Sequence, residues 1–333
     1  MEAAYARRMD MELRALGRDD IPAWARLLAA VQETDQSGEH YNEADLAEEM
    51  DNPDITVGED IVGAFEDRDL VGYFSVFPRS ANETFQKVHL EGAVRPDRRG
   101  RGVGSLLART MLERADVLHA ERHPDLPARL TATGPSSNAS QAALLADCGF
   151  SVERWNFLMR VKLADTPAPP AIPEGLGLRG YQPSYASAMH SAHNEAFLDH
   201  PDFTPWSDVM WKQWVTGSRN FRPELSYVVV EPSEPERVVG YVQSNEYDAH
   251  FETTGRREAF VAKLGTRREF RRRGIAGALL QHALWAYREA GYDEASLDVD
   301  SANPTGALGL YERAGFEVES RWSNYVLDRP AVS

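Results

Sequence analysis

The strongest constraint on the fold is an internal repeat. Four segments of the first half recur in the same order in the second half: residues 70–73 as 238–241, 99–104 as 271–276, 148–150 as 314–316, and 154–155 as 321–322. The offsets lie between 166 and 172 residues, far longer than the repeat of a solenoid protein. The 333 residues therefore predict two copies of one domain-sized fold.

A proline-rich segment separates the two copies. Residues 164–173, ADTPAPPAIP, hold four prolines and few apolar side chains, which is typical of a stiff, extended linker. The predicted domains are therefore residues 1–163 and 174–333.

Hydrophobic periodicity and turn residues predict an α/β fold, with helices packed on a mixed sheet, in each half. In the second half, strands are predicted at 225–231, 237–243, 260–265 and 295–299, and helices at 275–290 and 303–315. In the first half, strands are predicted near 88–94 and 130–133, and helices near 103–117 and 138–147.

The acidic composition excludes several classes of function. The chain has 36 Lys and Arg against 52 Asp and Glu, a formal net charge of −16. This balance argues against a nucleic-acid binder and against a membrane-surface protein. The single cysteine, Cys148, and the nine histidines form no metal-ligand pattern, so no metal is expected. No apolar run has the length of a membrane span or of a signal peptide, so the cytoplasm is the expected location.

The most specific local pattern is a strand, then Arg-x-x-Gly-x-Gly or Arg-x-x-Gly-x-Ala, then a helix. It occurs at residues 99–104 and again at 271–276. Small residues let a ligand approach the backbone, and the first N–H groups of a helix favour an anion. Arginines surround both turns in an otherwise acidic chain. The two copies together favour phosphate binding over a solvated basic turn. Neither turn has the pattern of a P-loop or of a dinucleotide-binding fold.

The second turn, RRRGIAGALL at residues 271–280, resembles the acetyl-CoA pyrophosphate motif of the GNAT N-acetyltransferases. Residues 303–316, NPTGALGLYERAGF, also resemble that family, and the first half matches clearly at its turn and more weakly afterwards. The chain is therefore similar to the tandem-domain subgroup of the family, which includes the mycothiol synthases. The resemblance implies two GNAT-like acyl-CoA N-acyltransferase domains that move an acetyl group from acetyl-CoA to a primary amine of a small molecule. Monomer and homodimer both stay open.

The resemblance also implies which residues bind acetyl-CoA. In the second half these are Leu264, Gly265, Thr266, Arg271, Arg272, Arg273, Gly274, Ile275, Ala276, Gly277 and Asn303. In the first half they are Val94, Arg99, Gly100, Arg101, Gly102, Val103 and Gly104.

Two catalytic residues are expected in the second half. Tyr311 stands where the family has a general acid, and a phenol can protonate a departing thiolate. The alternative for Tyr311 is packing at a helix end. Glu258 is the first choice for the base, with Glu246, Asp298 and Asp300 as alternatives.

The first half departs from the family pattern. Leu145 lies four residues before Gly149, the position that Tyr311 has relative to Gly315, and Ser137 or Asn138 lies near the position of Asn303. We therefore expect an active second domain and a degenerate or regulatory first domain.

An aromatic segment, residues 194–214, is predicted either to line the acceptor site or to pack as helix core. The acidic stretch within residues 33–69 either steers a cationic amine or is a solvated face, and the second is favoured. Two further functions stay open: a non-catalytic CoA-binding regulatory or scaffold protein, and a protein N-acetyltransferase.

Overall fold

The computed structural model describes residues 11–79, 81–82, 84–200, 203–301 and 306–332. Its backbone divides into two compact units, Met1–Trp155 with Arg321–Ser333, and Asn156–Ser320. Among the described helices, none has the length and apolar character to cross a membrane. The mixed α/β class predicted from the sequence is confirmed in both units.

The first unit is built on a sheet whose strands pair in the order β1-β2-β3-β4-β5-β12. All pairs are antiparallel except β4 with β5, which is parallel. In chain order its elements are β1 Met11–Ala15, α1 Ile21–Asp35, α2 Glu43–Met50, β2 Ile61–Glu66, β3 Asp69–Pro78, β4 Gln86–Val94, α3 Val103–Arg122, β5 Ala128–Pro135 and α4 Ala139–Asp147.

The second unit repeats this pattern in the order β6-β11-β10-β9-β8-β7. Again one pair, β10 with β11, is parallel, and the others are antiparallel. Its elements are β7 Gly177–Gly180, α5 Ala186–Phe197, α6 Asp208–Trp211, β8 Tyr227–Glu231, β9 Glu234–Asn245, α7 Asp248–Thr254, β10 Glu258–Thr266, α8 Ile275–Glu289, β11 Glu294–Asp300 and α9 Ala307–Arg313. A π-helical turn, Lys212–Thr216, continues α6.

The compact units follow the two sequence halves except at the last strand of each half. The strand β6, Ser151–Lys162, ends the first half, yet its residues 156–162 pair with β11 in the second unit. The strand β12, Glu317–Arg329, ends the second half, yet its residues 322–329 pair with β5 in the first unit. Each sheet therefore contains one strand from the other half of the sequence.

Helices cover both faces of each sheet, as the periodicity predicts. In the first unit, α1 and α2 bury Trp24 and Leu46 on one face, and α3 buries Leu106 on the other. In the second unit, α5 buries Met189 on one face and α8 buries Leu280 on the other. Burial of each large apolar side chain contributes roughly 1.5–3 kcal/mol, so these two-layer cores hold the strands that carry the site.

Candidate functional site

In each unit the two parallel strands separate before they end. Pairing of β4 with β5 stops at Leu90 and Ala132, although the strands continue to Val94 and Pro135. We call residues 91–94 and 133–135 the first opening. Pairing of β10 with β11 stops at Phe260 and Ser296, and residues 261–266 and 297–300 form the second opening. Backbone groups that face an opening are available to an extended ligand, because no strand among the described residues pairs with them on that side.

A tight turn with left-handed residues follows each opening. In the first glycine turn, residues 99–104, Gly100 and Gly102 have φ of 71° and 88°. In the second glycine turn, residues 271–276, Arg272 and Gly274 have φ of 61° and 81°. Gly102 and Gly274 cap α3 and α8, so the free N–H groups of both helices begin directly after the turn. The predicted strand–turn–helix arrangement is thus present in both units.

The first arginine of each turn is held by a carboxylate of its own unit. Arg99 donates to both oxygens of Asp35, at 2.6 and 2.8 Å, and its Nε donates to the Val94 carbonyl at 3.1 Å. Arg271 likewise pairs with Asp199 at 2.6 Å. These guanidinium groups brace the turn against the end of α1 or the segment after α5. A phosphate at either turn would therefore rest mainly on backbone N–H groups.

Arginines that remain exposed surround this backbone site. Arg101 in the first turn and Arg272 and Arg273 in the second all have exposed side chains. A Cβ atom placed at Gly100 or Gly274 would meet no atom of the described residues within 4 Å, so the space beside each turn is open to that extent. Open space, free N–H groups and positive charge together fit a diphosphate.

The first unit contains a cavity of about 520 Å³ at its opening. The first glycine turn and Val94 line it, together with Glu91, Tyr73 and Leu145. Asn138 also lines it and caps α4 by accepting a hydrogen bond from the Gln141 N–H at 3.0 Å. The Asn138 amide donates to Asp35 at 2.9 Å, which links α4 to the brace on Arg99. Of the residues predicted to bind acetyl-CoA in the first half, Val94, Arg99, Gly100, Gly102 and Gly104 thus border one cavity, whereas Arg101 is exposed and Val103 is buried in the core.

In the second unit, Tyr311 lies on α9, and 9% of its surface is exposed. Burial raises the pKa of its phenol to about 12, and its ring meets Phe316 edge-on at 6.1 Å between centroids. Burial, with a contribution from the charge of Tyr311, also raises the pKa of Tyr241. Asn303 lies outside the described residues.

Tyr241 packs directly against the strand that precedes the second glycine turn. A Cβ atom on Gly265 would lie 2.5 Å from Cε1 of Tyr241, so only glycine fits there. The Tyr241 hydroxyl lies 2.7 Å from Nδ1 of His193, which is buried. Leu264 and Thr266, which flank Gly265 on β10, are half-buried.

The aromatic segment surrounds His193. The rings of Phe197, Phe203 and Trp206 have their centroids 4.6, 5.6 and 4.8 Å from that of His193. Burial lowers the pKa of His193 to about 3, so this imidazole is neutral at physiological pH. Met210 and Trp211 are buried as well. The segment therefore contributes core packing, and through His193 and Tyr241 it also supports the strand that forms the second opening.

Glu258 lies at the start of β10, where this strand still pairs with β11. Eight residues, roughly 26 Å of strand, separate it from Thr266 at the glycine turn. Its carboxylate forms an ion pair with Arg160, which also contacts Glu294 at 2.5 Å and Glu319 at 2.6 Å. Burial, against the lowering effect of Arg160, raises the pKa of Glu258 to about 7.

His250 completes a cluster with Glu258 and Glu294, in which one ligand atom of each lies within 4.8 Å of the others. Such a set resembles metal ligands, but Nη1 of Arg160 already contacts both carboxylates. Arg160 therefore supplies positive charge at this place.

The alternative bases occupy different environments. Glu246 is bound by Arg222, Arg257 and Tyr292, at 2.9, 3.1 and 2.7 Å. Asp298 lies in the second opening with its side chain exposed there. Although solvent reaches this side chain, the protein around it removes part of the hydration of the carboxylate, which raises the pKa of Asp298 to about 6, and Lys263 partly offsets this. Asp300 ends the same strand.

Two features of the site had only weak sequence signals. Glu91 lies on a predicted strand, and the repeat aligns it with Lys263, so the sequence offered no matched pair of acids. Asp35 and Asp199 end or follow helices at an offset of 164 residues, which is a repeat signal that could have been used.

A paired repeat of strand opening, glycine turn and helix defines a class of protein, and the family comparison agrees. The model of the acetyltransferase (GNAT) family matches residues 24–150 and 186–316, and the chain belongs to this family. It is an acyltransferase with two GNAT domains in tandem. The family uses acyl-CoA as co-substrate.

Individual relatives are similar over most of the chain. A mycothiol acetyltransferase of Thermobispora bispora is 32% identical over 72% of this chain and 75% of its own length. One from Saccharomonospora viridis is 29% identical over 92% and 94%. A crystal structure of a GCN5-related N-acetyltransferase from Sphaerobacter thermophilus is 29% identical, covers 97% of this chain and 98% of its own, and has a TM-score of 0.74.

Proposed function

We propose that this protein transfers the acetyl group of acetyl-CoA to a primary amine of a small molecule. The observation that carries the proposal is the combination, in each unit, of an opening between parallel strands with a glycine turn at its end. The relatives named mycothiol acetyltransferases support a small-molecule acceptor.

The donor would bind along the strand and across the turn. In the second unit, the backbone of Leu264, Gly265 and Thr266 would pair with the extended arm of acetyl-CoA, and the N–H groups of residues 274–277 would hold its diphosphate. In the first unit, Val94 and residues 100–104 would do the same. The backbone N–H groups would hold the diphosphate because Arg99 and Arg271 are already paired with carboxylates.

Tyr311 would protonate the departing thiolate in the second unit. Because burial raises its pKa to about 12, the phenol keeps its proton at neutral pH. A thiol has an ordinary pKa near 8.5, well below that of this phenol, so Tyr311 would act first by donating a hydrogen bond that stabilises the departing thiolate, and solvent would replace the proton once it is transferred. The partly exposed edge of Tyr311 would face the sulfur.

The geometry favours Asp298 over Glu258 as the base. Asp298 is exposed in the second opening, and its pKa of about 6 suits proton transfer at neutral pH. Glu258 stands where the strands are still paired, and Arg160 already binds its carboxylate. The amine nitrogen would attack the thioester carbon while Asp298 accepts its proton, directly or through one water.

A matched pair of charge variants tests donor binding at each turn. Ser105 and Gly277 occupy equivalent positions in the first turns of α3 and α8. Ser105→Glu and Gly277→Glu each put a carboxylate where a diphosphate would bind, and acidic residues suit a helix N-terminus, so both variants should fold. Isothermal titration with acetyl-CoA should show one binding site fewer in each variant.

The same proteins are then assayed for CoA release with a panel of primary amines. Wild-type protein should release CoA with at least one amine, and Gly277→Glu should reduce the rate at least tenfold. Binding without release by the wild type would instead favour a non-catalytic CoA-binding protein. Unchanged binding in both variants would remove the glycine turns from the proposal.

A further inference from the structure

The first opening contains a carboxylate, that of Glu91, which has no part in the role proposed for Tyr311. Pairing of β4 with β5 ends at Leu90, so Glu91 is the first residue of the first opening. Glu91 and the first glycine turn line the same cavity of about 520 Å³. A proton acceptor and a candidate diphosphate site therefore face one cavity.

Two neighbours hold the Glu91 carboxylate in place. Nε2 of His89 lies 3.1 Å from Oε1 of Glu91, and Nδ1 of the same ring lies 3.2 Å from the Thr131 hydroxyl. This chain fixes the orientation of the imidazole and, through it, of the carboxylate. Even so, 39% of the Glu91 side-chain surface is accessible, because it faces the cavity.

The neighbouring charges keep the carboxylate of Glu91 ionised. Burial, and then repulsion from Glu91, raise the pKa of Glu49 well above its usual range, so Glu49 keeps its proton. Burial acts on Glu91 in the same direction, but the hydrogen bond and charge of His89 and the charge of Arg79 hold its pKa below the ordinary value. Three further acids, Glu39, Asp35 and Asp147, line the cavity, and Asp35 is neutralised by Arg99.

Aromatic rings complete this wall. Tyr41 and Tyr73 line the cavity beside Glu91, and both phenols have a pKa raised above the ordinary value, so they are uncharged. In Tyr73 the main cause is burial, with repulsion from Glu91 next. Carboxylates and aromatic faces together favour a positively charged guest.

We propose that the first unit is a second reaction centre, in which Glu91 is the general base and the acceptor is a compact cationic primary amine. This rests on the proposed function, because the donor is again acetyl-CoA. Glu91 takes one proton from the ammonium group, and the free nitrogen attacks the thioester carbon. The C–N bond forms and the C–S bond breaks. The thiolate receives the second proton of the nitrogen, and the proton on Glu91 returns to solvent.

This route explains why Leu145 is tolerated where the second unit has Tyr311. Leu145 is 5% exposed and lines the same cavity, and it offers no proton. When the proton of the nitrogen passes to the sulfur, no separate acid is required. The first unit then differs from the second in its proton donor, and it is not merely a degenerate copy.

The test removes the second unit from the reaction first. In Gly277→Glu, with blocking of the second turn checked by the acetyl-CoA titration, CoA release is measured with spermidine, 1,3-diaminopropane and glucosamine. We expect turnover to remain and to fall about 100-fold when Glu91→Gln is added, since a general base contributes roughly 10²–10⁴. Acetyl-CoA binding should not change. The matched control is Glu121→Gln, an exposed glutamate in the last turn of α3.

The outcomes separate this inference from the function on which it rests. If Gly277→Glu has no turnover while the wild type is active, the first unit is not a reaction centre. Equal rates with and without Glu91→Gln would remove Glu91 as the base. A wild-type protein that binds no acetyl-CoA and releases no CoA overturns the proposed function, and this inference with it.

Discussion

The two openings lie at equivalent places in their sheets but carry their carboxylates on opposite strands. In the first unit, Glu91 on β4 pairs with Ser75; at the equivalent register in the second unit, Lys263 on β10 pairs with Gln243. Conversely, Ala132 on β5 corresponds to Asp298 on β11. The acid of the first opening, Glu91, therefore lies on β4, and the acids of the second, Asp298 and Asp300, lie on β11, but aligning the two copies residue by residue hides this. A carboxylate on either of the two strands can therefore serve a reaction that needs one in the opening.

The largest expected effect concerns the strand that each unit takes from the other half. A fragment of residues 174–333 lacks residues 156–162, which pair with β11 over seven positions. We expect this fragment to show no cooperative thermal unfolding, because Met159 and Leu163 leave the core of the second unit.

The control for that experiment is a fragment of residues 156–320, which is the complete second unit. It should unfold in one cooperative transition, followed by circular dichroism. If both fragments unfold at the same temperature, the exchanged strand is dispensable and the two halves are independent domains.

A smaller effect is expected from the ion cluster around Glu258. Among the described residues, this cluster is present in the second unit and has no counterpart at the equivalent place in the first unit. At the positions of Glu258 and Glu294, the first unit has Gln86 and Ala128. Because the pKa of Glu258 is raised to about 7 in the folded state, its contribution to stability is complete below about pH 4.5. That contribution is lost as the pH rises through 7 and amounts to about 3 kcal/mol.

Glu258→Gln, which copies the first unit, should remove this part of the pH dependence. The free energy of unfolding is measured by urea titration between pH 4 and 8 for both proteins. Glu319→Gln, which changes another partner of Arg160 that is 42% exposed, serves as the control. Parallel pH profiles for wild type and Glu258→Gln would show that Glu258 is ionised throughout.

The smallest effect concerns the two glycine turns. Arg272 has a φ of 61° where the first turn has Gly100 at 71°. A left-handed residue with a side chain costs roughly 1 kcal/mol, so Arg272→Gly should stabilise the protein by up to about that amount. The neighbouring Arg273→Gly should destabilise it slightly, because glycine there adds freedom to the unfolded chain and removes the guanidinium that lies 5.4 Å from the centroid of the Phe270 ring. Melting temperatures that fall equally in both variants would contradict the strain.

Much of the fold could be predicted because its signals are local. The apolar spacing of residues 275–290 and the glycine before them predict α8, which runs from Ile275 to Glu289. The apolar run at residues 260–265 and the alternation at 295–299 predict β10 and β11 from equally local signals. The exchange of β6 and β12 could not be predicted, because strand periodicity identifies a strand without naming its partner.

The site divides in the same way. The turns were found from their sequence, but the role of Arg99 depends on Asp35, 64 residues away, and only the fold brings them together. Glu258 looked suitable as a base because it precedes a strand. Its carboxylate is already paired with Arg160, and Arg160 lies on β6, a strand that belongs to the first half of the sequence.

The exchanged strands also affect how sequence variation in this protein is interpreted. Met159 is encoded with the first half, but its side chain is fully buried in the hydrophobic core of the second unit. A harmful change at residue 159 would therefore impair the part of the molecule that contains Tyr311, although a map of the gene would assign it to the opposite half. Neither duplicate can be deleted, recombined or inherited alone without removing a structural strand from the one that remains.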